Sequence, residues 1–268
     1  MSAAWEVMGI VNVTPDSFSD GGLWLDPSRA IAHGTRLAAA GAALVDVGGE
    51  STRPGAEPVG EQLELERTVP VVAALARQGV RISIDTTKLA VAEAALSAGA
   101  RYVNDVSAFR TAPELASLVA DRRADCCLMH MRGEPRTMQE APHYDDVVDD
   151  VKAFLLERVA FAVAEGVGEQ HIQLDPGIGF GKTGTDNLAL LQRLDELVAL
   201  GFPVVVGASR KSFLGRLTGR EEPSERVAAT VAVNVLALAA GARVFRVHDV
   251  AEHVDALTVA AATLRGHA

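Results

Sequence analysis

HIQLDPGIGFGK, residues His171 to Lys182, decides how the chain is read. A short apolar run, Ile172 to Leu174, ends on Asp175 and then breaks into Pro176, Gly177, Gly179 and Gly181. A carboxylate at the C-terminal end of a short β-run, followed by a pliable loop, is where α/β enzymes keep their chemistry. The same grammar recurs in LVDVGGE at 44–50, ISIDTTK at 82–88, YVNDV at 102–106 and FRVHD at 245–249. Polar groups at so many strand ends imply one shared mouth.

Outward from that stretch, buried-type β-runs are expected at Val7–Val13, Ala43–Val47, Val80–Ile84, Tyr102–Val106, Cys126–His130, His171–Leu174, Val204–Val206 and Arg243–Val247. Each is followed by apolar residues at helical spacing. The expected helices are Pro27–Ala40, Glu61–Arg77, Lys88–Ala98, Pro113–Ala120, Tyr144–Glu165, Asn187–Leu200, Ser224–Ala240 and Val254–Leu264. Glycine stands at most of their C-terminal ends, as helix stops require. Val/Ile/Leu-rich runs suit a parallel sheet covered on both faces. Eight such units predict one α/β domain over residues 1–268, a single (β/α)8 TIM barrel, with a doubly wound sheet as the rival architecture.

The chain has 268 residues, 49% of them hydrophobic and only 4% aromatic, so the core must be Ala/Val/Leu-rich. A formal charge of −10 argues against a general nucleic-acid or anionic-membrane binder, both of which need clustered Lys and Arg. A local basic pocket for a small anion is compatible with it. Cys126 and Cys127 are adjacent in an expected strand and would point to opposite faces, so reduced core thiols and a cytoplasmic protein are expected. No charged segment followed by an apolar stretch opens the chain, so no signal peptide is expected, and no apolar run approaches the roughly 20 residues of a membrane span.

Residues Gly179 to Gly184 satisfy GxGxxG after a strand, but at the sixth unit rather than the first, where a dinucleotide fingerprint belongs. A P-loop fails because Pro176 occupies the place of its first glycine. These glycines either let backbone approach a flat ligand or merely shape a turn. Asp85, Asn104 and Asp175 lie at three strand ends. Singly, each could be a helix cap or a satisfied structural acid; together they suit a ligand rich in N–H donors, such as a pterin or purine edge. Ser209-Arg210-Lys211-Ser212 and Arg246-Val247-His248 place basic groups at the last two strand ends, the usual phosphate site of this fold. Arg246 and His248, two apart on a strand, face the same way. Polar, Gly/Pro-bearing loops follow the first two strands and have the composition of lids. Phe18, alone among polar neighbours in the first, either packs beneath the loop or covers a ligand. Histidines lack metal-ligand spacing, so no zinc cage is expected.

These pieces in this order resemble the dihydropteroate synthases. The resemblance spans essentially the entire chain: MGIVNVTPDSFSDGG at 8–22, DVGGESTRPGA at 46–56, SIDT at 83–86, NDV at 104–106, LDPGIGFGKT at 174–183, GASRKSFLG at 207–215 and RVHDV at 246–250. It implies condensation of 6-hydroxymethyl-7,8-dihydropterin pyrophosphate with p-aminobenzoate, giving 7,8-dihydropteroate and pyrophosphate for folate. It also implies that Asp85, Asn104, Asp175 and Lys211 hold the pterin, and that Asn12, Arg246 and His248 hold the pyrophosphate. Mg²⁺ would sit on Asn12 and the phosphates, with Asp20 helping to organise the metal and the closed state. Phe18, Thr52, Arg53, Pro54, Phe180, Lys211 and Ser212 would surround p-aminobenzoate, the pocket that sulfonamides mimic their way into. Asp85, Asp175, Lys211, Arg246 and Asn12 would carry catalysis, through a pterin cation. A homodimer is implied as well, with the Ala/Val/Leu-rich helix at 224–240 as a candidate interface.

The alternatives are a non-catalytic pterin-binding relative and a pterin-dependent methyltransferase-like domain. The second would not need the pyrophosphate set or the first two loops as they stand. One departure concerns the fourth loop: where many relatives have two glycines after Asn104-Asp105-Val106-Ser107, this chain has Ala108-Phe109.

Overall fold

The computed structural model describes residues 5–14, 26–53, 55–133, 137–138 and 142–265. Among the described residues the eight strands are β1 (Glu6–Asn12), β2 (Leu44–Gly48), β3 (Ile82–Asp85), β4 (Tyr102–Asp105), β5 (Asp125–Met129), β6 (Ile172–Asp175), β7 (Val205–Val206) and β8 (Val244–Val247). They pair in the order β6-β5-β4-β3-β2-β1-β8-β7, every pairing parallel. A bridge between Leu174 and Val204 joins β6 to the start of β7 and closes the ring. This is the expected (β/α)8 barrel. β7 is shorter than its sequence run because Val204 is spent on that closing bridge.

The surrounding helices are α1 (Pro27–Ala39), α2 (Glu61–Arg77), α3 (Leu89–Ala98), α4 (Glu114–Arg122), α5 (Val147–Ala164), α6 (Gly184–Gln192), α7 (Leu194–Val198), α8 (Ser212–Thr218), α9 (Val227–Ala239) and α10 (Val250–Arg265). Local chemistry sets several ends. Asp26 caps α1 by accepting from Ser28 N at 2.8 Å, and Pro27 pre-sets its first turn. Asp146 caps α5, so that helix starts later than its apolar pattern suggests. Gly99 ends α3 at φ +118°, which a side chain would resist.

Further features depart from expectation, among them α10, which starts at Val250 where the pattern placed its start at Val254. The sixth-unit helix is broken at Arg193 (φ −107°, ψ 30°), whose guanidinium is tied to Asp146 at 2.7 Å and Glu196 at 2.6 Å. The helix expected from Ser224 begins as a 3-10 turn, Pro223–Arg226, before α9. The short α8, unanticipated from the sequence, is held by burial of Phe213 and Leu214. Among the described residues no helix is long and apolar enough to cross a membrane.

The barrel interior is layered by the two-residue period of the strands. Met8, Leu44, Tyr102, Cys127, Val205 and Val244 form a dry cluster made by strands alone. Two residues further along, the same inward phase presents Asp46 after Leu44, Asn104 after Tyr102 and Arg246 after Val244. Cys126 belongs instead to the larger core between sheet and helices, so the two buried, free thiols do face opposite ways.

The fourth loop keeps a glycine-like backbone without glycine. Ala108 (φ 53°) and Phe109 (φ 62°) are both left-handed. Asp105 offsets the strain by accepting from Ser107 N and Phe109 N, each at 2.7 Å. Arg158 donates to Ala108 O at 2.8 Å, and the Phe109 side chain is completely buried.

Candidate active site

The polar layer above the dry cluster is organised by one guanidinium. Arg246 donates from Nε to Asp46 Oδ2 at 2.7 Å and from Nη2 to Asp85 Oδ2 at 2.6 Å. Asn104 Nδ2 donates to the same Asp46 oxygen at 3.1 Å. Asp46, Asp85 and Asn104 are all buried. Burial lifts the Asp85 carboxyl to about 7 against the pull of Arg246, with Asp46 adding to the rise. The two acids hold Arg246 cationic and push its pKa up despite burial. Nε and Nη2 are thereby committed to the two acids.

Asp175, at the end of β6, accepts from Gly177 N at 2.6 Å. Burial raises its pKa, while that bond and then Lys211 oppose the rise. Gly177 (φ +67°) has no room for a side chain: a Cβ there would lie 1.9 Å from His130 O. The loop is thereby pressed onto the end of β5 and turns up to Phe180, whose ring lies 4.0 Å from Lys211 Nζ. Burial draws Lys211 down to about 8, with Arg246 and Arg53 pushing the same way and Asp175 and Asp85 opposing. Lys211 and Arg246 each lie near enough to Asp85 and Asp175 for their charges to interact.

His248, just past β8, is fixed by Ser209: Nδ1 lies 2.9 Å from Ser209 Oγ. Its Nε2 is buried with no hydrogen-bond partner among the described residues, an orphan that an oxygen-rich anion would satisfy. Burial and the nearby Arg210 and Arg246 hold His248 well below its ordinary pKa. Arg210 itself (φ 57°) makes a two-bond pair with Asp249, Nε to Oδ2 at 3.0 Å and Nη2 to Oδ1 at 2.5 Å. That pair ties the seventh loop to the eighth and occupies the side chain that the basic sequence set offered for an anion.

Thr52 and Arg53 follow β2 and are half-buried. Arg53 contributes to depressing both Lys211 and His248, which places its charge toward the same mouth. The second loop is strapped down by Glu50, whose Oε2 accepts from Val59 N at 2.8 Å and from Lys88 Nζ at 2.6 Å. Lys88 also donates to the fully buried Glu64. Asn12 ends β1 and is half-buried, whereas Ser212 opens α8 and is exposed. Phe18, Asp20 and Pro54 lie outside the described residues.

Two participants were missed in the sequence. Asp46 holds both Arg246 and Asn104, and its signal was available: it shares the inward phase of Leu44 in LVDVGGE. Ser209, the partner of His248, carried no distinguishing signal.

The sequence matches the family described as pterin binding enzymes over residues 8–248. It is 52% identical to the dihydropteroate synthase of Mycobacterium leprae, over 97% of this chain and 93% of that protein. The chain belongs to the dihydropteroate synthase family. It is accordingly an enzyme, a transferase of folate biosynthesis. Solved dihydropteroate synthases share its fold closely. One is the Yersinia pestis enzyme in a sulfonamide drug complex (TM-score 0.93, 46% identity, 96% of this chain and 94% of that one). Another is the Xanthomonas albilineans enzyme with 4-aminobenzoic acid (TM-score 0.90, 52% identity, 96% and 92%). The latter enzyme has also been solved with 7,8-dihydropteroate (TM-score 0.86, 49% identity, 96% and 93%).

Among the described residues no group of three or more His, Cys, Asp or Glu could cage a metal. Mg²⁺ takes few protein oxygens and prefers phosphates and water, so its binding would not require such a cage. Asn12, the last residue of β1, carries an amide oxygen of the kind Mg²⁺ accepts.

Proposed function

We propose that this chain joins p-aminobenzoate to 6-hydroxymethyl-7,8-dihydropterin pyrophosphate, releasing 7,8-dihydropteroate and pyrophosphate, with residues 1–268 acting as one pterin-binding domain. The observation that carries the proposal is the convergence of two buried acids, Asp85 and Asp175, with Lys211 and Arg246 in one electrostatic cluster. Asp85, Asn104, Asp175 and Lys211 hold the pterin, whose N–H edge suits carboxylates and an amide carbonyl. Asn12, Arg246 and the orphan Nε2 of His248 take the pyrophosphate. Phe18, Thr52, Arg53, Pro54, Phe180, Lys211 and Ser212 surround the arylamine, and the same pocket accepts sulfonamides.

An aryl amine is a weak nucleophile, so the bond between the pterin methylene and the pyrophosphate oxygen breaks first. The electron pair leaves with pyrophosphate. The amine nitrogen then forms its bond to the methylene and gives up a proton. Asp85 and Asp175, already fixed and desolvated, stabilise the intervening pterin cation without reorganising. Arg246 and His248 draw off the departing anion, and the first two loops, including Asp20, exclude water. Asn12 would hold Mg²⁺, which would supply charge neutralisation for the pyrophosphate.

Assembly into homodimers through α9 and α10 fits this reading. Leu236, Val259 and Leu264 are exposed there, beside an apolar groove lined by Val235, Ala239, Ala256 and Ala260. The cytoplasm, where reduced thiols persist, is the inferred location. The deciding experiment mixes the two substrates with Mg²⁺ and measures pyrophosphate release. Release dependent on p-aminobenzoate supports the proposal, and none refutes it. A covalent protein–pterin adduct on the way to product would overturn the dissociative route.

A further inference from the structure

The sixth βα loop contains a buried amine that the chemistry above leaves unused. Lys182 is 2% exposed, and its hydrogen-bond partners are neutral: Nζ lies 2.8 Å from His130 Nδ1, 3.0 Å from Phe180 O and 3.3 Å from His130 O. Burial, then the neighbouring Lys182, holds His130 down at about 2, so its imidazole is neutral and Nδ1 can accept. A buried amine is costly to desolvate, and it persists only where its bonds matter to the surroundings. Here those bonds staple the carbonyl of Phe180 to the C-terminal end of β5.

The placement of Asp175 does not depend on the staple, although the Lys182 charge opposes the rise of its pKa. Its carboxylate is fixed by Gly177 N at 2.6 Å, and its backbone oxygen accepts from His130 N at 3.0 Å. Phe180 stands at the far end of the same loop, where its carbonyl meets Lys182 and its ring meets Lys211. Tyr144 donates to Gly181 O at 2.6 Å and steadies the neighbouring peptide from α5's side. The amine therefore acts on the wall of the arylamine pocket and leaves the pterin acid in place.

We infer that Lys182 is a positioning residue: by gripping the Phe180 carbonyl from beneath, it fixes the Phe180 ring against Lys211 and so sets the affinity for the arylamine. The inference rests on the proposed p-aminobenzoate pocket. A methionine of similar length fills the space but donates nothing, leaving three buried acceptors unpaired. A glutamine retains an N–H₂ donor on a slightly shorter arm.

The test is steady-state pyrophosphate release by the full chain, Lys182→Met and Lys182→Gln. For Lys182→Met, KM for p-aminobenzoate should rise about tenfold, while kcat and KM for the pterin pyrophosphate stay within about twofold. Lys182→Gln should fall between Met and the native chain. An unchanged KM for p-aminobenzoate would overturn the inference, as would a parallel shift of all three constants, the mark of general loss of packing. Should the Met variant not accumulate folded, the Gln variant is judged by the same split. Native chain that fails to release pyrophosphate would defeat the proposed function itself, a separate outcome.

Discussion

Arg246 and Asp85 are joined at 2.6 Å across the barrel, and the guanidinium that makes this bond grips Asp46 at 2.7 Å with its Nε. Neither acid is left as an isolated buried charge while Arg246 is present. Removing one partner from a buried ion pair strands the other, at a cost of about 3–5 kcal/mol. Arg246→Met should therefore destabilise the fold by roughly that amount, while Asp85→Asn costs less because Asp46 still holds the cation. The double variant should lose less than the sum, by urea denaturation in a double-mutant cycle; strict additivity would mean the pair is energetically idle. Asp85→Asn should also lower kcat/KM by on the order of 10²-fold, since a preorganised charge is gone. Native-like kinetics would remove Asp85 from the pterin site.

The pH dependence follows from the same cluster. Asp85 is raised to about 7 and Lys211 lowered to about 8 in the folded protein. Under the proposed dissociative route Asp85 is ionised and Lys211 protonated, so kcat/KM should be a narrow bell. Its acid limb should lie near pH 7 and its alkaline limb near pH 8. The limbs belong to the interacting set and not to single residues. For stability, the native state binds Asp85's proton more tightly than the unfolded chain does, so this group's contribution falls as pH rises from about 4 toward 7. Lys211 releases its proton more easily when folded, so its contribution rises from about 8 toward 10. A broad plateau in kcat/KM from pH 5 to 10 would contradict both limbs.

Lys88 is the cation between Glu50 and the fully buried Glu64. Lys88→Met should leave Glu64 buried without its partner and destabilise by about 3–5 kcal/mol, measured by urea unfolding. Because Glu50 would also lose a hold on the second loop, KM for p-aminobenzoate should rise in the folded fraction. A change under about 0.5 kcal/mol would show that the cluster contributes nothing.

The left-handed Ala108 is a reservoir of strain that glycine would relieve. Ala108→Gly should raise stability by about 0.5–1 kcal/mol, the αL penalty less the entropy glycine loses on folding. Phe109→Gly, at the neighbouring left-handed position, should instead destabilise by about 3 kcal/mol or more because a fully buried ring disappears. Thermal denaturation of the two variants distinguishes the cases, and a destabilised Ala108→Gly would refute the strain.

The acids, the amide and the basic residues at the strand ends were all legible in the sequence, because a strand's alternation fixes which side of the sheet each residue takes. Knowing that Leu44 is inward and apolar places Asp46 inward as well. The Gly-stopped helices between such strands mark a parallel sheet covered on both faces, a feature the barrel shares with its doubly wound rival. All of this is local, set within a few residues by backbone geometry and hydrophobic burial.

Which charge meets which was decided only by the tertiary structure. Arg246 and Asp46 are 200 positions apart, and Arg210 and Asp249 are 39 apart. Arg210 and Lys211 look alike in sequence, yet closure of the barrel brings Asp249 to one and Phe180 to the other. The break at Arg193 and the left-handed Ala108-Phe109 turn likewise depend on distant partners, Asp146 and Arg158. A pattern can fix a side chain's direction, whereas its partner, and hence its charge state, exists only once the ring has closed and water has been driven from between them.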